Sequence, residues 1–420
     1  MAIGLTATAQ EGTLRLSLAE AQQYAVEHNA SMQNADLDTK KAELGRWQTL
    51  ASMLPQVKTG FDYQNMCGYE MHMGSGPMSI SIPMDPNGTF SVTASVALTG
   101  AQVVGTLLQN IAMQMTDISR QQTEQTTRSN VKNIYVSILV MEQTVGLLDS
   151  SLANLERLAV TSQAAVDVGA AEQVDADKLQ VQVASMKNSI NSTKRSLQAL
   201  RNSMLLQLGT DVDAQLELTT SVDEILSVDQ AVQLLGQGFD ISKNYNYRLL
   251  EQNERLSKTN VTMAWMDFTP TLTAYYQYSD KVYFGEEGMN MTPPNMVGAS
   301  VSLPLFSSGV RTAKVKSAKI ELQEARNSRR QAEDALRVQY NQLCYDLTSA
   351  LETYDIQSRN LDVTRRVFDN LTEKYNYGRA SSLEVTTASS DIISAQSNYI
   401  QAVMSVISAQ VALENLLNAE

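Results

Sequence analysis

The sequence is poor in the residues that interrupt helices. Its 420 residues include only 8 prolines and 20 glycines. Both shares are below ordinary usage, so long stretches rich in Ala, Ser, Gln, Leu and Val can stay helical. There are two cysteines, Cys67 and Cys344, far apart in the chain. One falls in an extended context and the other in a helical one, which argues against a disulfide between them, and no paired-Cys metal site exists. Two histidines give a His-dependent enzyme little to build from. Phosphate loop, His-Glu-x-x-His and nucleophile elbow are all missing. The expectation is a protein that is not an enzyme and carries no cofactor. Nowhere do 18 apolar residues run together, so no transmembrane helix is expected. Positive charge is also scarce: the formal net charge is -13. An acidic chain does not track phosphate backbones, and no nucleic acid partner is expected.

The first ten residues, Met1 to Gln10, lack a basic segment. They do resemble the end of a secretory signal, an apolar piece followed by small residues. Residues 1–10 are therefore read as a trimmed signal remnant of an exported protein; an ordinary disordered N-terminus fits the same residues.

What is there is a plan given twice. Asn29 precedes a helical stretch ending at Pro55, and Asn244 one ending at Pro270, both pairs 215 positions apart. Ala94-Ser-Val-Ala-Leu98 matches Ala299-Ser-Val-Ser-Leu303 at 205, and Gly169 matches Gly378 at 209. The first half therefore has the longer loop, and the second has four extra residues between Leu303 and Gly378. Tyr340, Leu347, Tyr354, Leu361, Phe368 and Tyr375 fall seven apart, and 209 positions earlier so do Val131, Ile138, Val145, Leu152, Ala159 and Val166. Such a spacing is the seam of a long helix packed on others. Each glycine then separates two seamed arms, as the bend of a helical hairpin does. An ascending arm of about 65 residues would be roughly 100 Å long. A plain antiparallel coiled coil and a curved wall of helices with water on both sides fit this periodicity equally.

Four segments alternate with a period of two: Gln56 to Tyr63, Phe90 to Leu98, Thr271 to Tyr278 and Val297 to Leu303. Each has the length of a membrane-spanning strand and one apolar face, as a barrel with lipid outside and water inside requires. The candidate lipid-facing residues are Phe61, Tyr63, Phe90, Val92, Leu272, Tyr276, Tyr278 and Val301. A half-buried soluble sheet would show the same alternation, but here each strand pair is inserted between the same two long helices. A membrane sheet must close and four strands are too few, so oligomerisation is expected. The loops between the strands are Met-rich, with Met66, Met71, Met73, Met78 and Met84 in one and Met289, Met291 and Met296 in the other. No metal site is assigned; Met71, His72 and Met73 are a weak soft-metal alternative.

The chain resembles the TolC family of outer-membrane efflux proteins from Leu14 to Leu417. The pieces that carry the resemblance are Gly298-Ala-Ser-Val-Ser-Leu-Pro-Leu-Phe-Ser-Ser-Gly309, Tyr375-Asn-Tyr-Gly-Arg-Ala-Ser-Ser-Leu-Glu-Val-Thr387, and Val166-Asp-Val-Gly169 with Val174-Asp175. The resemblance implies a mainly α fold with a small β part: long antiparallel helical hairpins forming an α-barrel wall, and four strands per protomer in an oligomeric transmembrane β-barrel. It implies residues 11–208 as a first repeat with its hairpin at 56–98, 209–222 as a linker or equatorial segment, and 223–420 as a second repeat with its hairpin at 271–303. The implied partners are two further copies in a homotrimer, the lipid bilayer, a periplasmic adaptor protein and an inner-membrane transporter. The implied location is the cell outer membrane, with helices extending into the periplasm. The function is then an exit channel of an efflux or type I secretion system, gated at the helix tips; a periplasmic coiled-coil scaffold or adhesin without a pore is the alternative.

In the family, acidic side chains ring the aperture at the tips. The matching positions are Asp175 and Glu384, with Lys178 and Thr387 standing where a second acid is expected one turn on. Gly169, Gly378, Arg379 and Tyr375 are the candidate tip and adaptor-contact residues. Each has a structural rival. Ser381-Ser-Leu-Glu384 is also a capping box, Asp175 also suits the first turn of a helix, and Lys178 is also an i+3 partner for Asp175.

Overall fold

A computed structural model describes residues 13–74, 80–225, 228–285 and 293–418. In chain order the elements are β1 (Thr13–Leu16), α1 (Leu18–His28), α2 (Ala30–Ala51), β2 (Gln56–Gln64), β3 (Glu70–Met73), β4 (Ile80–Pro83), β5 (Asn87–Leu98), α3 (Gly100–Asp167), α4 (Gln173–Leu208), β6 (Gln215–Leu218), α5 (Val222–Ile225), α6 (Val228–Leu235), α7 (Tyr245–Met266), β7 (Thr271–Tyr283), β8 (Asn295–Ser302), α8 (Val310–Asn376) and α9 (Ser382–Leu417). The protein is mostly helical. The expected signal remnant, residues 1–10, lies outside the described residues, as do Met78, Met289 and Met291.

Packing does not divide the chain into its two halves. One compact unit comprises Met1–Leu37, Ile118–Arg248 and Gln331–Glu420; the other comprises Asp38–Asp117 and Leu249–Arg330. Each unit draws on both halves of the sequence. The second unit holds 14 acidic and 14 basic residues and the first 31 and 18, so the first carries the whole net charge.

In the first unit the expected seam is buried or half-buried. Val131 and Ile138 of α3 are fully covered, as are Leu347 and Phe368 of α8. Near the tips, Leu148, Leu155 and Leu158 of α3 pack with Leu179, Met186 and Ile190 of α4, Phe368 of α8 and Val385 and Ile392 of α9. Helices α3 and α9 each contain a stretch apolar enough, by composition, to suit a membrane. On α9 those side chains face protein: Val403, Ile407 and Val411 pack against Val136 and Val140 of α3.

Two asparagines explain the 215-position spacing noted above. Asn29 accepts from the Ser31 amide at 2.8 Å at the start of α2, and its Nδ2 donates to the Gln207 carbonyl at 2.7 Å near the end of α4. Asn244 accepts from the Tyr247 amide at 3.2 Å at the start of α7, and donates to the Leu416 carbonyl at 3.3 Å near the end of α9. Both are buried. A buried amide that both donates and accepts fixes one helix start against one helix end. The sequence expectation missed the small sheet beside them. Strand β1 pairs in parallel with β6, within the segment expected to be a linker. Tyr135 from α3 locks this pair, donating to the Leu16 carbonyl and accepting from the Thr220 amide, both at 3.0 Å.

The second unit holds a four-stranded antiparallel sheet in the order β2-β5-β7-β8. These are the four expected strands, with β5 and β7 longer than the alternation suggested. The two middle strands, β5 and β7, come from different halves of the chain. Strands β2 and β8 are edges with one neighbour each. A further antiparallel pair, β3 with β4, lies within the segment expected to be loop.

Candidate functional site

The two helical hairpins turn alike. Gly169 has φ 75° and Gly378 φ 66°, the left-handed conformation that glycine adopts without a Cβ penalty. The Gly169 amide donates to the Val166 carbonyl and the Ala170 amide to the Ala165 carbonyl, both at 2.8 Å. At the other tip the Gly378 amide donates to Tyr375 at 2.9 Å and the Arg379 amide to Lys374 at 2.8 Å. Each pair of bonds satisfies carbonyls that a helix end otherwise leaves orphaned.

Beyond the bends the tips differ. Helix α9 opens with the capping box expected from its sequence. The Ser381 amide donates to Glu384 Oε2 at 2.7 Å, and Ser381 Oγ accepts from the Glu384 amide at 3.3 Å. The Ser381 backbone amide, and then the Ser381 hydroxyl donating to the same Oε2 at 2.9 Å, hold the Glu384 carboxyl below its ordinary pKa, and Lys374 adds to the effect. Helix α4 opens on Glu172, whose side chain makes no cap bond. Asp175 is therefore available for other partners. It accepts from Ser382 Oγ of α9 at 2.5 Å and lies 3.6 Å from Lys178 Nζ. Ser382 is buried, and the sequence reading passed it over. Its neighbour Ser381 matched a motif, whereas a contact between two tips leaves no local pattern.

The remaining tip residues separate by exposure. Thr387 is exposed and lines a groove of about 540 Å³ with Val174, Lys178, Val181 and Leu383. Arg379 is exposed, but Tyr375 packs onto the core cluster that contains Phe368, so it serves the seam. Tyr377, Val168 and Leu383 are further exposed large side chains at the tips.

The register of the sheet sorts its side chains. Residues directly opposite one another share a face. Phe61 lies opposite Phe90, Val92 opposite Tyr278, and Leu272 opposite both Leu98 and Val301. All eight candidate lipid-facing residues, Phe61, Tyr63, Phe90, Val92, Leu272, Tyr276, Tyr278 and Val301, stand on one face. The other face carries Lys58, Thr93 and Gln277 in one cross-strand row and Gly60, Ser91 and Ser279 in the next. Asp280 interrupts the apolar face at its loop end, opposite Phe90. On β3, alternation sets His72 on the side opposite Met71 and Met73, so these three do not converge on one ion. Among the described residues no cluster of three His, Cys, Asp or Glu could hold a metal.

Residues 246–419 match the family of outer membrane efflux proteins. That match spans less than half of the chain. The chain is 20% identical over 351 residues to the outer membrane efflux protein BepC of Brucella suis biovar 1 (strain 1330), covering 81% of this chain and 75% of that one. Its fold is shared with the solved structure of CusC, at a TM-score of 0.75 and 15% identity over 96% of this chain and 92% of that one. It is shared also with VceC of Vibrio cholerae, at 0.73 and 15% over 95% of each chain. The outer-membrane channel MtrE of Neisseria gonorrhoeae, solved in its open state, matches at 0.73 and 16% over 95% of this chain and 88% of that one.

Proposed function

We propose that this efflux protein is one protomer of a homotrimeric exit channel, a passive conduit whose energy comes from an inner-membrane transporter reached through a periplasmic adaptor. The observation that carries the reading is the sheet: four antiparallel strands, one apolar face, one polar face and two free edges. Lipid cannot satisfy a free edge, and the smallest membrane barrels have about eight strands. Closure therefore needs further copies. Three copies give twelve strands, and the number three rests on the family. The twofold plan of the chain supplies equivalent wall elements from each half.

The tips form the gate in this reading. Threefold symmetry brings three copies each of Asp175 and Glu384 toward one axis, with Lys178 and Thr387 beside them. A ring of carboxylates attracts cations and repels anions, and the surplus of acid in the first unit acts in the same direction. Lys178 offsets part of that charge. The test is conductance of the purified protein in planar bilayers, beside Asp175→Asn and Glu384→Gln together. The expected outcome is a channel whose cation preference falls in the double variant. A protein that forms no channel would remove the proposal; unchanged selectivity in the double variant would remove the gate residues only.

A further inference from the structure

Leu305 and Phe306 are 87% and 86% exposed, the most exposed large apolar residues described. They follow edge strand β8 in a segment that is neither helix nor strand. The second half of the chain has five more residues here than the first. Helix α3 starts two residues after Leu98, whereas α8 starts seven after Leu303.

An equivalent junction already exists inside the chain. There β5 ends beside the start of β7, with Leu98 opposite Leu272, and the chain turns into α3 at Gly100. The approach is tight, since a Cβ on Gly100 would lie 2.7 Å from Met266 Sδ and 2.8 Å from Thr269 Oγ1. Now carry this pairing to the free edges. Leu303 stands 205 positions after Leu98, and Val57 stands 215 before Leu272. The same pairing between two copies sets Leu303 opposite Val57, Ala299 opposite Phe61 and Val297 opposite Tyr63. Every one of these residues is on the apolar face, as a correct register demands and a one-residue slip forbids. Continued past the strand ends, this register brings Phe306 across from Leu54. The counterpart of Met266 is Ala51, and the thioether that closes the internal junction is missing from the free one.

We propose that Leu305 and Phe306 form a wedge that seats on a second copy of this chain, filling the space that Ala51 leaves beside Leu54 at the end of α2. This inference rests on the closed-sheet reading above and adds its register and its apolar seal. A dry seal is what the junction needs, because packed interiors tolerate few voids.

Two cysteine pairs separate the two ideas, each in the full chain with Cys67→Ser and Cys344→Ser. Lys58→Cys with Ser302→Cys tests the closed sheet on its polar face. Leu54→Cys with Phe306→Cys tests the wedge. Disulfide-linked oligomers from both are expected. Phe306→Ala should speed oligomer dissociation on the order of 100-fold, the scale of truncating a packed aromatic. Ala51→Met alone should also weaken the oligomer by overpacking, and together with Phe306→Ala it should recover, recreating the internal junction. Cross-linking of the sheet pair alone, with dissociation unchanged by Phe306→Ala, overturns the wedge and leaves the closed sheet. A monomer with neither pair linked overturns both.

Discussion

Asp175 and Glu384 stand 209 positions apart, at the same place after two left-handed glycine bends, and their carboxylates have different partners. Glu384 turns back on its own helix start and closes a capping box with Ser381. Asp175 reaches across to Ser382 of the other tip. The difference follows from the residue before each helix. Ser381 can cap with its hydroxyl, whereas Glu172 makes no such bond. The two acids thus divide two tasks: one caps its own helix, the other joins two hairpins.

The strongest way to break this comparison is to remove the core beneath both tips. Phe368 is buried among Leu155, Leu158, Leu179 and Val385, where its counterpart 209 positions earlier is Ala159. Phe368→Ala should cost about 3–5 kcal/mol, read as a lower midpoint in urea unfolding followed by far-UV circular dichroism. The Asp175–Ser382 bond, which needs α4 and α9 in register, should be lost before the local capping box. Hydrogen exchange that accelerates at both helix starts equally would contradict that order.

A smaller effect separates the two serines. Ser381→Ala removes a helix cap, at about 1 kcal/mol, and should speed exchange in the first turn of α9 alone. Ser382→Ala removes one hydrogen bond to a carboxylate, at about 1.5–3 kcal/mol before the exposure of Asp175 reduces it. It should loosen the start of α4 as well, through a residue on another helix. An α4 start that exchanges at the same rate in both variants would show that the link between the tips is idle.

These two bonds also mark how far the sequence could be read. The box was legible because Ser381 and Glu384 are three residues apart, and capping is local. The strands and seams were legible because a single face with a period of two or seven repeats itself along tens of residues. Ser382 was not, since its partner is 207 positions away on another helix. Strands β1 and β6 escaped for the same reason. Thr13–Leu16 and Gln215–Leu218 are four residues each, too short to display a period, and they pair across 202 positions. Register across the sheet likewise required the partner strand.

The smallest effect is a titration that should appear at one tip and in one other helix. The Glu384 carboxyl is held below its ordinary value of 4.5 by Ser381, so its stabilising contribution is complete above that value and disappears as the pH falls through the lowered one. Helix α1 provides an internal control. Ser17 and Glu20 form the same box, and Glu20 is shifted in the same direction by the same two groups of Ser17. Acidification should therefore expose the amides of Ser381 and Ser17 together, in exchange rates corrected for intrinsic pH dependence. Glu384→Gln keeps a side chain that can cap but cannot titrate, so it should flatten the response at Ser381 and leave Ser17 unchanged. If Ser381 still loses protection with acid in that variant, the pH response of the tip belongs to another group, and the division of labour between Asp175 and Glu384 would have to be redrawn.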